Sequence, residues 1–284
     1  MAASAEEYFS IGMAYFELGK YEEAEKWLTR AKQAKRTMVA SAYNLGRLSF
    51  EMERYEEAAK HFESILKKDK DNVMALKAAA YSRIRSNDIE KAEKHYARLL
   101  KLVPESADDG YNHALVLFAM SRYKQSEEVL EKYPIALQEN KDVMLLYARN
   151  QAALNKVEAI DTYASFLTNF SDPKARYEYA CLLEKRELYA RALEEFKKAL
   201  TEVANDSTDP KKSDVRFASA RVLLTADSSS SEGITELRTA VNEGFNDIAA
   251  VEKLAVKASA SNKEALNEII GNLRSKSSPS ETKP

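Results

Sequence analysis

Residues 11–31 read IGMAYFELGKYEEAEKWLTRA. Gly12 and Ala24 bring almost no hydrophobic surface, yet both sit inside an otherwise amphipathic helical pattern. A lone glycine in a helix costs roughly 1 kcal/mol against alanine. If a second backbone must come close at these points, the same small residues should return at a fixed interval. They return every 34 residues: Gly12, Gly46, Ala80, Ala114 and Ala148 in one phase, Ala24, Ala58, Ala92 and Ser126 in another. Tyr21 recurs as Tyr55, Ile89 and Tyr123, and Leu28 as Phe62, Tyr96 and Leu130. Past residue 160 the phase slips by two, and Ala180, Tyr189, Ala192, Phe196 and Ala199 resume it. After an insertion a further copy reads Phe217, Ala220, Leu224, Gly233, Leu237 and Ala240.

The composition agrees with a helical chain. Of 284 residues, 45% are apolar and 31% charged, which is too apolar for wholesale disorder. Seven glycines and six prolines are few for a turn-rich β protein. A formal net charge of −2 gives no electrostatic case for nucleic acid or an anionic membrane. A single cysteine, Cys181, excludes an internal disulfide and a cysteine-built metal site. No apolar run approaches the roughly 18 residues that span a bilayer. Met1-Ala-Ala-Ser-Ala5 lacks a signal-peptide core, and it is also what remains when an export signal is trimmed and a start codon added. The compartment therefore stays open: cytoplasmic at face value, periplasmic or exported if a signal was removed.

The recurring residues resemble the tetratricopeptide repeat family, whose 34-residue unit is a helix–turn–helix. The resemblance implies an all-α fold, a right-handed superhelical solenoid of antiparallel helix pairs. It places repeats at about 5, 39, 73, 107, 141, 173 and 214 in one array over 5–273. First helices are expected near 5–17, 39–52, 73–86, 107–120, 141–154, 174–186 and 213–225. Second helices are expected near 21–34, 55–68, 89–101, 123–132, 157–168, 189–202 and 232–242. In the family the small residues at repeat positions 8 and 20 lie where the two helices touch. Leu266, Ile269, Ile270 and Leu273 fall on one helical face and predict a divergent capping pair over 247–273. Ser275 to Pro284 has no apolar residue able to dock, so 274–284 is expected to be a disordered tail.

Some positions depart from the family pattern. Only Pro104 obeys the usual proline at position 32; Arg36 and Lys70 take its place in the first two repeats, where longer second helices are expected. Pro134 should stop its helix near Tyr133 and leave 134–140 irregular. Asp172 and Pro173 read as an N-cap and first helical residue. Polar 205–214 and serine-rich 227–231 read as loops.

No motif for catalysis stands out. His61 and His95 share repeat position 23, His113 lies at position 7, and no HExxH or phosphate-binding loop occurs. The histidines read as slot-fillers in helices and Cys181 as a small packing residue. Acid pairs such as Glu22-Glu23 and Glu56-Glu57 begin second helices, where the dipole favours carboxylates. No cofactor and no metal are called for, and no enzyme activity is expected.

The resemblance implies a binding surface. In the family, positions 2, 5, 9, 12 and 13 of the first helices line the concave wall where peptides dock. Position 5 gives Phe9, Tyr43, Lys77, Tyr111, Leu145 and Tyr177; position 9 gives Met13, Arg47, Tyr81, Leu115, Arg149 and Cys181. Position 12 gives Phe16, Phe50, Ile84 and Phe118, and position 13 gives Arg85. This aromatic wall with sparse cations suits an extended or helical segment of a protein partner. Whether each aromatic is accessible or packed sideways on the adjacent helix stays open here. Chaperone-binding members clamp a C-terminal carboxylate with cations and asparagines. The matching positions hold Phe9, Met13, Asn44, Met74 and Ala78, of which only Asn44 conforms. The leading expectation is a non-enzymatic interaction scaffold. The alternatives are self-assembly into a homo-oligomer and a carrier or receptor for an apolar small molecule.

Overall fold

The computed structural model describes residues 4–35, 39–227 and 229–277, and among these it holds only α-helices, with no strand. Two compact units, Met1–Leu154 and Asn155–Pro284, divide the chain. In the first, α1 (Ala5–Glu17) pairs with α2 (Tyr21–Ala34), and α3 (Val39–Glu51) with α4 (Tyr55–Leu66). Next, α5 (Val73–Arg85) pairs with α6 (Ile89–Leu102), and α7 (Ala107–Ala119) with α8 (Tyr123–Leu130). Short α9 (Pro134–Glu139) leads into α10 (Lys141–Ala153). Each second helix also packs on the next first helix: α2 on α3, α4 on α5, α6 on α7 and α8 on α10.

Small residues set the approach within a hairpin. A Cβ on Gly12 would stand 2.8 Å from Leu28 Cγ, and one on Gly46 would stand 2.6 Å from the Phe62 ring. Ala80 and Ala114 hold the same repeat position and are wholly buried in the clusters around Tyr96 and Leu130. On the facing helices Ala24, Ala58 and Ala92 are also wholly buried. A larger side chain would part the helices and forfeit dispersion contacts along the seam. Ser126 replaces this alanine without leaving a bare hydroxyl. It donates to the Ala114 carbonyl at 2.8 Å and accepts from the Asn150 amide at 2.8 Å.

The turns repeat as well. Gly19, Glu53, Asn87 and Ser121, one per hairpin, take a left-handed backbone with φ between 57° and 68°. Their amides close the turn on the carbonyl three residues back, as Glu53 does on Phe50 at 2.9 Å. In the second unit Asn155 and Glu187 adopt the same conformation, and their spacing carries the two-residue slip read from the sequence.

In that unit α11 (Ala159–Asn169) packs on α12 (Pro173–Lys185), which pairs with α13 (Tyr189–Glu202). Helix α14 (Lys212–Ala226) pairs with α15 (Ser231–Asn242), and α16 (Ile248–Lys257) with α17 (Ala260–Ser277). Asp172 caps α12 by accepting from the Ala175 amide at 2.9 Å. Leu266, Ile269, Ile270 and Leu273 bury their shared face against Phe217, Leu237 and Phe245.

Three expectations need correction. Residues 134–139 are helical, and α8 already ends at Leu130. Proline stops a helix from within but starts one readily, because the first turn needs no amide there. The Asn140 side chain then caps α10, accepting from the Asp142 and Val143 amides at 2.9 and 3.3 Å. Lacking the proline does not lengthen α4, which ends at Leu66 while α6, followed by Pro104, runs to Leu102. Helix α17 continues through Ser277, so the first residues of the expected tail are helical; 278–284, like Arg36, lie outside the described residues.

Candidate functional site

The aromatic inner wall expected of the first repeats lies on α1, α3, α5, α7 and α10 of the first unit, while Tyr177 and Cys181 lie on α12 of the second. A rule emerges at repeat position 12. Each ring there is braced by the tyrosine that opens the second helix of its own hairpin. Phe16 lies 5.9 Å from Tyr21, Phe50 5.0 Å from Tyr55, and Phe118 5.1 Å from Tyr123. The third hairpin replaces the pair with Ile84 and Ile89, both packed on the Tyr96 cluster.

A second contact reaches Phe16 and Phe50 from position 9 of the next first helix. The Arg47 guanidinium lies 5.2 Å from the Phe16 centroid, and Tyr81 stacks on Phe50 at 5.3 Å. Arg85 lies 4.4 Å over Tyr55 and 5.9 Å from Phe50, and donates to the Tyr55 hydroxyl. Tyr55 meets Phe50 edge-on and Phe50 stacks on Tyr81, giving one continuous aromatic cluster flanked by a guanidinium. Cation–π contacts of this kind are worth about 0.5–1 kcal/mol where exposed.

Position 5 faces inward more than the wall reading implies. Tyr43 meets Phe62 edge-on at 5.3 Å, and Phe9 packs around Leu28 and Leu45, as does Met13 at position 9. Tyr111 is partly buried; burial, reinforced by Asp142 and opposed by Arg149, raises its hydroxyl above the usual tyrosine range. Arg149 is itself partly buried. The Lys77 ammonium sits 2.9 Å from the buried carboxylate of Asp109, which also accepts from the Ser106 hydroxyl at 2.7 Å. Its charge is already answered.

What remains open is a narrower face. Tyr81 is 47% exposed and Leu115 37%, with the exposed arginines Arg47 and Arg85 beside them. Met74, 62% exposed one α5 face-turn before Lys77, belongs to this surface. The sequence reading weighed Met74 only as a clamp position, although position 2 was the signal that pointed to it. It likewise took Tyr21, Tyr55 and Tyr123 as marks of the repeat rather than as supports for the rings.

The other titratable groups serve packing. His61 Nδ1 lies 3.3 Å from Lys32 Nζ, and burial, with the Lys32 charge, holds the imidazole below its ordinary range. His113 is buried, which lowers it in the same sense despite Glu93 at 3.6 Å. His95 Nε2 lies 3.1 Å from Glu63, whose carboxylate also accepts from Arg83 at 2.8 and 2.6 Å. Burial pushes Glu63 upward, but the bonds from His95 and Arg83 outweigh it and bring it down to about 2. In the second unit burial pushes the Cys181 thiol up to about 11, so it is not a ready thiolate. Among the described residues no group of three His, Cys, Asp or Glu side chains is placed to hold a metal ion, and no helix is long and apolar enough to cross a membrane.

Antiparallel hairpins with a 34-residue period, small seam residues and an aromatic first-helix face define a helical-repeat interaction protein as a class. Tetratricopeptide repeat family models match residues 49–112 and 142–173, and the model for anaphase-promoting complex, cyclosome, subunit 3 matches 1–65. A crystal structure of a tetratricopeptide repeat protein from Parabacteroides merdae is similar at 20% identity, over 89% of this chain and 98% of that one, with a TM-score of 0.58. YrrB, described as a TPR protein with an unusual peptide-binding site, is 19% identical over 69% of this chain and 98% of its own, with a TM-score of 0.55. MamA is 16% identical over 58% of this chain and 90% of its own, with a TM-score of 0.53. No curated protein matches the sequence. The chain is a tetratricopeptide repeat protein.

Proposed function

We propose that this protein is a non-enzymatic scaffold that holds a peptide or helix of a protein partner on the first-helix face of its first unit. Tetratricopeptide repeats as a family mediate protein–protein interaction. One observation supports the location: Met74, Tyr81 and Leu115 stay exposed on adjacent helices while the rings behind them are fixed by stacking. Fixed aromatic side chains lose little conformational entropy on binding, which is why tyrosine and arginine dominate interface hot spots. YrrB, with a related fold, has a peptide-binding site.

The test is a crosslinking pull-down with the wild-type chain and the Phe50→Ala/Tyr81→Ala double variant. Partner capture should fall at least about tenfold, with helicity by circular dichroism retained. Lys26→Glu, on a second helix, should capture as wild type does; an equal loss there would overturn the reading. A second reading, self-association, has support at the other end of the chain. Val256 is 83% exposed, beside a cavity of about 640 Å³ between α16 and α17 that Ala255 and Ile270 also line. Mass measured across a concentration series tests it, and a strict monomer removes it.

A further inference from the structure

We infer that the segment held on this face is acidic, and that it is read through side-chain carboxylates paired with Arg47 and Arg85 next to an apolar side chain covering Tyr81 and Met74. The inference rests on the scaffold reading above and deepens it.

Arg30 lies over the Trp27 ring on α2, and Arg149 is partly buried on α10. The other six arginines described in the first unit fall into two groups. Arg54, Arg83, Arg98 and Arg122 have carboxylate partners, Glu25 at 3.2 Å, Glu63 at 2.6 Å, Asp71 at 2.8 Å and Glu93 at 3.4 Å. Among the described residues Arg47 and Arg85 meet none. Arg47 donates instead to the Asn44 side-chain oxygen at 3.2 Å and lies over Phe16; Arg85 donates to Tyr55 and lies over its ring. A guanidinium held against a ring keeps other N–H donors at its edge, in the fork that suits a carboxylate. Both groups are thus oriented and charged but not neutralised, so pairing them costs little further ordering.

The surroundings narrow the ligand. Lys77, on α5 with Arg85, is answered by Asp109 of α7 and adds no free charge. Glu17 and Glu51, both exposed, occupy on α1 and α3 the repeat position that Arg85 holds on α5. A continuous acidic tract would meet these carboxylates, whereas one or two acids flanking an apolar residue would not.

The test uses short acetylated and amidated peptides, one built on Glu-Leu-Phe-Glu and one on Gln-Leu-Phe-Gln, with binding read by fluorescence anisotropy at low salt. The acidic peptide should bind wild type about tenfold or more tighter than its neutral isostere. Arg47→Gln/Arg85→Gln should abolish that preference, while Arg98→Gln, on α6, should retain it. Equal binding of the two peptides by wild type overturns the acidic preference, and the scaffold reading survives if Phe50→Ala/Tyr81→Ala weakens both. Binding only of a version with a free C-terminus overturns side-chain recognition. If neither peptide binds, the inference falls, and the pull-down decides separately whether the scaffold reading falls with it.

Discussion

Glu53 shows what a single backbone angle costs. It sits at φ 59° in the turn between α3 and α4, where its Cβ crowds the neighbouring carbonyl. Its side chain is exposed, and the turn needs only its amide, bonded to Phe50 at 2.9 Å. Gly19 meets the same requirement in the first hairpin with no Cβ at all. Glu53→Gly removes the strain, offset in part by the greater freedom glycine has when unfolded. We expect a net gain of about 0.5 kcal/mol, read as a higher urea midpoint with an unchanged slope. Asn87→Gly should gain less, because asparagine tolerates the left-handed region. If the two substitutions move the midpoint alike, side-chain strain is not what Glu53 contributes. Gly46 is the opposite case, since there the missing Cβ makes room for the Phe62 ring rather than for a backbone angle.

Between elements, Arg83 is a heavily engaged polar group. From α5 it reaches Glu63 on α4 and Asp88 just before α6, while His95 of α6 shares Glu63, so one buried guanidinium ties three helices. Arg83→Met keeps most of the volume but leaves the partly exposed Glu63 with His95 alone, a loss of about 1–3 kcal/mol at neutral pH. The pH dependence follows from the direction of the Glu63 shift. Its carboxyl is lowered from 4.5 to about 2 on folding, so its stabilisation is present above pH 4.5 and is lost as pH falls toward 2. The gap between wild type and Arg83→Met in urea unfolding should therefore be wide at pH 7 and narrow at pH 3. A gap of equal size at both values would mean that packing, not charge, explains the loss. None of this network was legible in the sequence, where Arg83, Glu63 and His95 look like ordinary charged residues on a helical face. The hairpins themselves were legible, because a seam that excludes side chains larger than methyl leaves a trace at fixed spacing. The short helix α9 was missed because Pro134 reads equally as a stop and as a start. The binding face was legible as a set of positions but not as a set of exposures. Only the packing of α3 against α5 determines that Phe50 is covered and Tyr81 is open.

Over the whole molecule, stability in a repeat stack is close to a sum of hairpin terms and nearest-neighbour interfaces, so damage should stay near where it is made. The end of the second unit offers a sharp place to ask. Leu266 is wholly buried, and with Ile269, Ile270 and Leu273 it seals α17 over Phe217, Leu237 and Phe245. Leu266→Asp places a carboxylate among apolar side chains with no donor nearby, which should cost more than about 4 kcal/mol and undock α17. Amide hydrogen exchange should then show protection lost across α14 to α17, with α1 to α8 exchanging as in wild type. Leu266→Ala, which only opens a cavity, should give a smaller loss of about 2–5 kcal/mol over the same helices. The functional consequence follows from the same locality. A chain without its terminal seal should still bind its partner through Arg47, Tyr81 and Arg85, because the contacts that orient them come from α1, α3, α4 and α5. Loss of protection in α1 to α8, or loss of partner binding by Leu266→Asp, would show that the repeats fold as one cooperative block instead.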